Sequence, residues 1–245
     1  IKLNSGSMIE MVVIPEGKRR TLCVSSQAGC ALQCTFCATG TQGFDQNLES
    51  HEIIGQLWLA NFSEKSNKPI TNVVFMGMGE PLLNFDNVIE ATKIIKDQNA
   101  YGLSRKRITI STSGIVPNIK KLNKHVDVSL AISLHAANDD LRDKIVPINK
   151  KYPIKMLLSS CIDFLADHDN KRHITIEYIL IKDINDSHED AKSLVSLLST
   201  FPCKINLIPF NKFEGSDFER PSNKRINNFK KYLIDFCRMG CGTNS

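Results

Sequence analysis

The sequence predicts an α/β fold in which six strand–helix units form a partial, TIM-like (βα)6 barrel. Three observations lead to this prediction: runs rich in valine, isoleucine and threonine alternate with amphipathic helical segments, six such units recur, and several runs are almost continuously apolar. Continuous apolar strands are typical of parallel strands that are buried on both faces. Because an ordinary barrel of this kind has eight units, six units predict a barrel that is open on one side, where a bulky substrate can bind.

The predicted elements follow one another along the chain as strand, helix, strand. The predicted strands are residues 21–25, 72–76, 107–111, 127–134, 173–182 and 204–209. The predicted helices have apolar side chains three or four residues apart, and the first is expected to have its N-cap at Ser50 and the second at Asp86. They cover residues 53–58, 88–95, 115–122, 154–166, 191–198 and 226–236.

The composition is that of a globular protein with one substantial hydrophobic core. The chain has 245 residues, of which 42% are hydrophobic and 23% are charged. The net charge of +5 suits an acidic partner such as RNA without requiring one. No apolar run approaches the roughly 20 residues of a membrane span, and the polar start predicts no secretory signal. We therefore expect a cytoplasmic protein with no membrane partner.

The order of the elements predicts one core domain, which we place at residues 21–236. Residues 1–20 are expected to form an N-terminal extension that leads into this core. Residues 237–245 are expected to form an atypical or truncated C-terminal tail. Because the sequence starts at an isoleucine and stops without a structural signal, we expect it to be a fragment of a longer protein.

Three of the eight cysteines, Cys30, Cys34 and Cys37, lie on one short segment with the spacing C-x3-C-x2-C. Thiolates at this spacing suit three irons of a cubane cluster, which leaves the fourth iron free to chelate a small molecule. His51 is the nearest candidate for a fourth protein ligand. The alternative is a zinc site, although zinc prefers paired knuckles with four ligands in total. Since a disulfide framework is typical of small secreted proteins, we expect reduced cysteines and an iron–sulfur cluster.

Polar residues follow several predicted strands, at the ends where parallel α/β folds bind ligands. Gly77 and Gly79 predict a close approach of the backbone to a ligand, and Glu80 is a candidate acceptor for an amino group. Further polar clusters lie at residues 111–114, at residues 133–135 and at Asn211. A single cluster of this kind is usually turn chemistry. Four of them beside a loop with three cysteines predict a pocket for a polar ligand that carries an amino-acid group.

The cysteine loop, with an aromatic residue before its last cysteine, resembles the signature of the radical S-adenosylmethionine (SAM) superfamily. Residues 77–81 resemble the glycine-rich element of that superfamily. Longer segments are similar to the dual-specificity RNA adenine-C2 methyltransferases, which act on 23S ribosomal RNA and on transfer RNA. These segments are residues 21–27, 74–84, 108–114, 131–136, 145–151 and 203–211. The resemblance covers nearly the whole chain, and it implies a barrel of the radical SAM type and an RNA methyltransferase.

The resemblance also implies roles for individual residues. Cys30, Cys34 and Cys37 would ligate a [4Fe–4S] cluster. Glu10 corresponds to the family's proton acceptor, and Cys23 corresponds to the cysteine that resolves an adduct between the protein and RNA. The residues that correspond to contacts with SAM are Gly79, Glu80, Ser111, Ser133, Leu134, His135 and Asn211.

The mechanism that the resemblance implies overcomes the electrophilic character of C2 in adenine. One molecule of SAM first methylates a cysteine thiolate. A second molecule accepts an electron, from a donor such as flavodoxin or ferredoxin, and yields a 5′-deoxyadenosyl radical that abstracts hydrogen from the methyl-cysteine. The resulting carbon radical adds to C2, and the resolving cysteine releases the methylated RNA as a disulfide forms. We expect the enzyme to be a monomer.

The sequence departs from the family where the methyl-carrying cysteine is expected. That cysteine normally lies near the C-terminus in an Ala-Cys-Gly-Gln context, whereas this chain has the pair Cys241-Gly242. Cys241 is therefore the candidate methyl carrier, and truncation is the explanation that we favour for the missing context. The family's small N-terminal RNA-binding domain is also missing, which predicts a weak affinity for RNA.

Three other interpretations stay open at this point. The first is a relative of the same architecture that methylates C8 of adenine in ribosomal RNA, as an antibiotic-resistance enzyme. The second is a different radical SAM enzyme with a small or peptide substrate. The third is an RNA-binding module that binds zinc and has no catalytic activity, although the polar residues at the strand ends argue against it.

Overall fold

The computed structural model describes residues 1–62, 68–166, 172–199 and 202–240, and of residues 236–240 it describes the backbone only. The strands are β1 (Val12–Glu16), β2 (Arg19–Cys23), β3 (Gln27–Gly29), β4 (Phe44–Asn47), β5 (Asn72–Phe75), β6 (Ile108–Thr112), β7 (Ser129–Ser133), β8 (Ile174–Leu180) and β9 (Cys203–Pro209). The helices are α1 (Ala38–Gln42), α2 (Ser50–Phe62), α3 (Phe85–Lys96), α4 (Val116–His125), α5 (Asp139–Ile145), α6 (Ile154–Ala166), α7 (His188–Leu198) and α8 (Asn223–Gly240). Three short 3₁₀ helices lie at Pro81–Leu83, Arg105–Arg107 and Pro147–Lys150.

Seven strands form one mixed sheet in the order β1-β2-β5-β6-β7-β8-β9, and β3 and β4 pair in a separate two-stranded sheet. Within the large sheet, β2 and the strands β5 to β9 run parallel to one another, as six strand–helix units require. The sheet curls into a half-barrel with helices, so the predicted partial (βα)6 barrel is confirmed.

The edge strand β1 differs from the prediction that residues 1–20 form an extension ahead of the core. It pairs antiparallel with β2, with Val12 opposite Cys23 and Glu16 opposite Arg19. Since β2 already begins at Arg19, the domain boundary that we predicted at residue 20 falls inside a hairpin of the main sheet. The sequence does not predict this antiparallel strand, because β1 presents half-exposed and exposed side chains and has no run of buried apolar residues.

The helix starts also differ in detail from the sequence prediction. Helix α2 includes Ser50 as its first residue, and the Glu52 side chain accepts a hydrogen bond from the Glu49 backbone N–H at 2.9 Å. Helix α3 begins at Phe85 with Asn84, not Asp86, at its N-cap position. The Asn84 amide instead donates to the carbonyl oxygens of two distant loop residues, Ser26 and Leu48, at 2.8 and 2.7 Å. The start of α2 thus has a local contact between Glu49 and Glu52, whereas long-range hydrogen bonds fix the side chain of Asn84 at the start of α3.

The hydrophobic core lies between the sheet and the helices. Successive residues Leu130, Ala131 and Ile132 of β7 are all at most 1% exposed, so both faces of this strand are buried as its continuous apolar run predicts. Helices α2 and α3 pack on each other, as do α4 and α6, and α7 and α8. In the described parts of the chain, no helix combines the length and the apolar character that crossing a membrane requires.

Candidate active site

The cysteine loop is held by the small β3–β4 sheet, an element that the sequence analysis did not predict. Cys30 follows β3 directly, and its backbone N–H donates to the carbonyl of Gly43 at 2.8 Å. Gly29 has φ of +72°, and a Cβ atom at this position would lie 1.9 Å from the carbonyl oxygen of Gly43. Only glycine fits so close an approach, and the start of the loop therefore depends on this residue.

The far side of the loop packs against the segment that follows β7. Cys34 is 8% exposed and forms a small apolar cluster with Ala136, Ile145 and Val146. The backbone N–H of Thr35 donates to the carbonyl of Ile145 at 3.2 Å. The loop is thereby anchored both to its own hairpin and to the end of α5.

An open pocket with a volume of about 250 Å³ lies between this loop and the carboxyl ends of the strands. Its walls bring together the three cysteines and most of the polar positions that the sequence predicted. The residues that line it are Cys30, Leu32, Cys34, Phe36, Cys37, Thr39, Gly40, Phe75, Met76, Gly77, Gly79, Glu80, Pro81, Ser111, Thr112, Ser113, Ser133, His135, Glu177, Ile179 and Ile208. Clefts in which a few polar groups converge in this way commonly bind small molecules and cofactors.

Two predicted SAM contacts do not line the pocket. Leu134 is fully buried, and its backbone N–H donates to the carbonyl of Glu177 at 3.1 Å. Asn211 is exposed just after β9. His51, the candidate fourth ligand, lies outside the pocket with a side chain that is 70% exposed and 3.1 Å from the Glu49 carboxylate.

Glu80 is a buried carboxylate that joins two strand ends. Its Oε1 accepts from the N–H of Leu82 at 3.0 Å, and its Oε2 accepts from the N–H of Ser113 at 2.8 Å. Burial raises the pKa of Glu80, and hydrogen bonds from Ser113, Thr112 and Leu82 act against that rise. An amino group of a ligand would be a further donor to a carboxylate that the protein has already fixed in place.

The two glycines before Glu80 also serve the packing of the protein itself. A Cβ atom on Gly77 would lie 2.8 Å from backbone atoms of Val24 and Ser25. Gly79 has φ of +93°, and its Cβ atom would lie 2.4 Å from Cβ of Gln27. Both residues also line the pocket, but the contacts that exclude larger side chains are with the β2–β3 connection.

His135 is held as a neutral hydrogen-bond donor. Its Nδ1 accepts from the N–H of Ile179 at 3.1 Å, so the proton of the neutral ring lies on Nε2. Burial and, to a smaller extent, the charge of Arg142 lower the pKa of His135 to about 3. The ring packs edge-on against Phe36 of the cysteine loop, with centroids 4.6 Å apart. The positive φ of +63° at this residue shows that tertiary contacts fix its backbone.

Cys23 and Glu10 lie beside the pocket and not in its lining. Burial raises the pKa of Cys23 to about 11, while a hydrogen bond from the backbone of the pocket residue Met76 lowers it. The Glu10 side chain is exposed, but its carbonyl accepts from the Ser25 hydroxyl at 2.6 Å. That hydroxyl in turn accepts from the N–H of Met78 at 2.9 Å, which links Glu10 to the glycine-rich loop. Cys241 lies outside the described residues.

The sequence analysis missed Glu177, a pocket residue in the middle of β8. It is 5% exposed, its Oε2 accepts from the Asn206 side chain at 2.7 Å, and burial raises its pKa. A single carboxylate within the otherwise apolar and aromatic strand Ile174–Leu180 was the signal that could have revealed it.

The thiols suit a cluster better than a single metal ion. In the residues that the structure describes, no three histidine, cysteine, aspartate or glutamate side chains converge closely enough to hold one ion. A cubane cluster does not require such convergence, because each thiolate binds a different iron. The three cysteines of one loop, at one wall of a shared pocket, therefore fit an iron–sulfur cluster.

Comparison with known proteins agrees with this geometry. Residues 24–195 match the radical SAM superfamily. Dual-specificity RNA methyltransferase RlmN from Pseudomonas putida (strain W619) is 59% identical over 95% of this chain and 62% of its own length. The corresponding enzyme of Pseudomonas entomophila (strain L48) is also 59% identical, over 95% of this chain and 63% of its own length. The chain thus spans just over three-fifths of the curated relatives that it matches.

A solved structure supports the same conclusion. A radical SAM methyltransferase from Sphaerobacter thermophilus superposes with a TM-score of 0.92 and 40% sequence identity, covering 96% of this chain and 69% of the other. A shared fold at this identity, together with the superfamily match over most of the chain, shows the family. The chain belongs to the radical SAM superfamily and, within it, to the radical SAM methyltransferases.

Proposed function

We propose that the chain is the catalytic part of a radical SAM RNA methyltransferase that methylates C2 of an adenine in 23S rRNA and in tRNA. The observation that carries this proposal is that one shared pocket is lined both by the loop with three cysteines and by Glu80, Ser133 and His135. The relatives at 59% identity are named dual-specificity RNA methyltransferases, which supports RNA as the substrate.

The cofactors that follow from family membership are a [4Fe–4S] cluster and SAM. Cys30, Cys34 and Cys37 would hold the cluster. When bound, these cofactors supply reductive cleavage of a sulfonium and thus a radical that can abstract hydrogen from an unactivated methyl group. The protein's own contribution is to deliver three thiolates from a loop that is anchored on two sides, next to a pocket of fixed polar groups.

The polar groups around the pocket suit the ends of a SAM molecule. Glu80 offers carboxylate oxygens to an amino group, and the Nε2–H of His135 is a donor with fixed orientation. Ser111 and Ser133 line the same wall, and Gly79 lies beside Glu80. We assign Leu134 and Asn211 to the margin of this site, because they adjoin it in the chain without lining it.

Cys23 is proposed as the thiol that resolves the protein–RNA adduct, and Glu10 as the proton acceptor. A thiol with a pKa of about 11 is protonated at neutral pH, so Cys23 must lose its proton before it attacks. The hydrogen bond between Cys23 and the backbone of Met76, a residue of the pocket wall, supports this role. Cys241 is the proposed methyl carrier on the grounds of its sequence context alone.

The remaining parts of the proposal concern partners. We propose 23S rRNA and tRNA as substrates, flavodoxin or ferredoxin as the electron donor, a cytoplasmic location and a monomeric enzyme.

The test is anaerobic reconstitution of the chain with iron and sulfide, followed by reduction in the presence of SAM and RNA. We expect about four irons per chain, 5′-deoxyadenosine in the products, and loss of both in Cys34→Ala. Cys161→Ala is the matched control, because Cys161 is also buried but lies outside the pocket.

Mass spectrometry of the digested RNA, with C2- and C8-methyladenosine as standards, then identifies the product. A C8 product would replace this proposal by the alternative regiochemistry. Release of 5′-deoxyadenosine with no methylated RNA would contradict the methyltransferase activity of this chain, and iron retained by Cys34→Ala would contradict the cluster assignment.

A further inference from the structure

Arg142, on helix α5, is a fully buried cation behind the pocket wall. It is 0% exposed and ranks among the largest fully buried side chains of the described residues. Its Nε donates to the carbonyl of Leu134 at 2.9 Å, and its Nη2 donates to the carbonyls of Ser113 and Ser133 at 2.7 and 3.0 Å. Three carbonyls at the ends of β6 and β7 are therefore held by one guanidinium.

The guanidinium has no direct anionic partner among these contacts. Its fourth hydrogen bond, from Nη1, goes to the neutral Oδ1 of Asn149 at 2.8 Å. Only Asn149 connects it to carboxylates, because the Nδ2 of Asn149 donates to Asp139 and Asp143 at 2.8 and 2.7 Å. A buried charge that touches only neutral oxygens is costly, and such a charge is normally retained where a counter-charge is close by.

Ser113 lies between Arg142 and the cysteine loop. The carbonyl of Ser113 accepts from Arg142, and the hydroxyl of Ser113 hydrogen-bonds the Cys34 thiol. Cys34 also packs against Ile145, at the end of the helix that carries Arg142. One residue, Ser113, thus separates the guanidinium from a sulfur of the loop.

Arg142 remains charged at neutral pH. Burial lowers its pKa to about 10, and the charges of Cys34, Asp139 and Asp143 act in the opposite direction. The thiols of the loop lose their protons when they bind a metal, and three thiolates outweigh the positive charge of an oxidised [4Fe–4S] core, so a ligated cluster has a net negative charge close to this cation.

We propose that Arg142 is the positioning residue and the buried counter-charge of the iron–sulfur cluster, and that it makes the cluster easier to reduce. This inference rests on the proposed function, since it requires the cluster on Cys30, Cys34 and Cys37. In the reduction step, an external one-electron donor is oxidised and the cluster gains one electron, so the site becomes more negative. A fixed positive charge in a medium of low dielectric constant stabilises the reduced state more than the oxidised state.

The test measures the midpoint potential of the reconstituted cluster by redox titration followed by electron paramagnetic resonance, without SAM. We expect Arg142→Gln to lower the ratio of reduced to oxidised cluster at a fixed potential by at least tenfold, which corresponds to about 59 mV for one electron. Arg142→Lys keeps the charge and should stay within about threefold of the wild type. Lys144→Gln removes an exposed charge from the same helix and is the control, with an unchanged potential expected.

A second variant covers the case in which Arg142→Gln fails to fold or to bind iron. Asp143→Asn removes a negative charge that reaches Arg142 through Asn149, so it should shift the potential in the positive direction. Potentials of Arg142→Gln or Asp143→Asn equal to that of the wild type, at equal iron content, would overturn the inference. A wild-type chain that binds no cluster at all would instead overturn the proposed function.

Discussion

The two sides of the pocket are built in contrasting ways. On the side of β5, β6 and β7, the polar groups are buried and each contacts the next: Glu80 bonds Ser113, Ser113 bonds Arg142, and Arg142 bonds Ser133. On the side of β8 and β9, one polar pair, Glu177 and Asn206, faces the site, and no residue of β9 is fully buried.

This difference separates two tasks that one barrel has to perform. A connected buried network fixes its members in one geometry, which suits the binding of a cofactor that must be placed accurately. A sparsely bonded wall next to the edge strand leaves room for a larger substrate. We therefore expect mutations on the β5–β7 side to affect cofactor binding and stability together, and mutations on the β8–β9 side to affect binding with little effect on stability.

The largest effect should come from Gly29→Ala, at the base of the cysteine loop. The new Cβ atom would lie 1.9 Å from the carbonyl oxygen of Gly43, so the hairpin that holds Cys30 must move. We expect loss of iron binding, measured as iron and sulfide per chain after reconstitution.

Gly17→Ala is the matched control for this variant. Gly17 also has a positive φ, +57°, but a Cβ atom there would meet nothing within 4 Å. It should therefore lose only about 1–2 kcal/mol of stability from backbone strain and keep its iron. Normal iron content in Gly29→Ala would show that the cysteine loop tolerates a movement of its hairpin. The contrast between the β5–β7 and β8–β9 sides of the pocket would then lose its basis.

An intermediate effect is expected for Glu80→Gln, within the network of the β5–β7 side. The amide retains one oxygen for two backbone donors, so either Leu82 or Ser113 loses its acceptor. Leaving a buried donor unpaired costs about 1–3 kcal/mol, which urea unfolding of the cluster-free chain measures directly. Calorimetry should show weaker SAM binding to the reconstituted variant. A variant as stable as the wild type would indicate that the network is not coupled in the way that the contacts suggest.

The contrast between the two sides also explains what the sequence could and could not predict. The parallel strands and helix α6 were predictable because a buried strand or helix shows its burial in its own residues, and 154–166 was predicted with the bounds that the structure has. The cysteine spacing and the polar residues after each strand indicated which residues meet, since parallel strands place their carboxyl ends together.

Features that depend on contacts between distant residues were not predictable in this way. The β3–β4 hairpin, the capping of α3 and the need for glycine at Gly77 are set by partners 15 to 58 residues away. Arg142 follows Asp139, Asp140 and Leu141 on a short helix that also carries Asp143 and Lys144, and nothing in that charged segment marks one cation as buried. The burial of this charge becomes visible only when the ends of two strands supply its acceptors.

The smallest effect should come from Glu177→Gln, on the β8–β9 side. Burial raises the pKa of Glu177 above the value in the unfolded chain, so its charged form disfavours folding. The stabilisation of wild type relative to Glu177→Gln is therefore greatest below the unfolded pKa and declines as the pH rises through the folded pKa. Urea unfolding across the acidic range should show this slope, whereas Glu90→Gln, an exposed glutamate on α3, should not. If the difference in unfolding free energy between wild type and Glu177→Gln changed across this pH range by as much as Glu80→Gln costs, the β8–β9 wall would be as tightly constrained as the opposite one. The division of the pocket into a cofactor side and a substrate side would then fail.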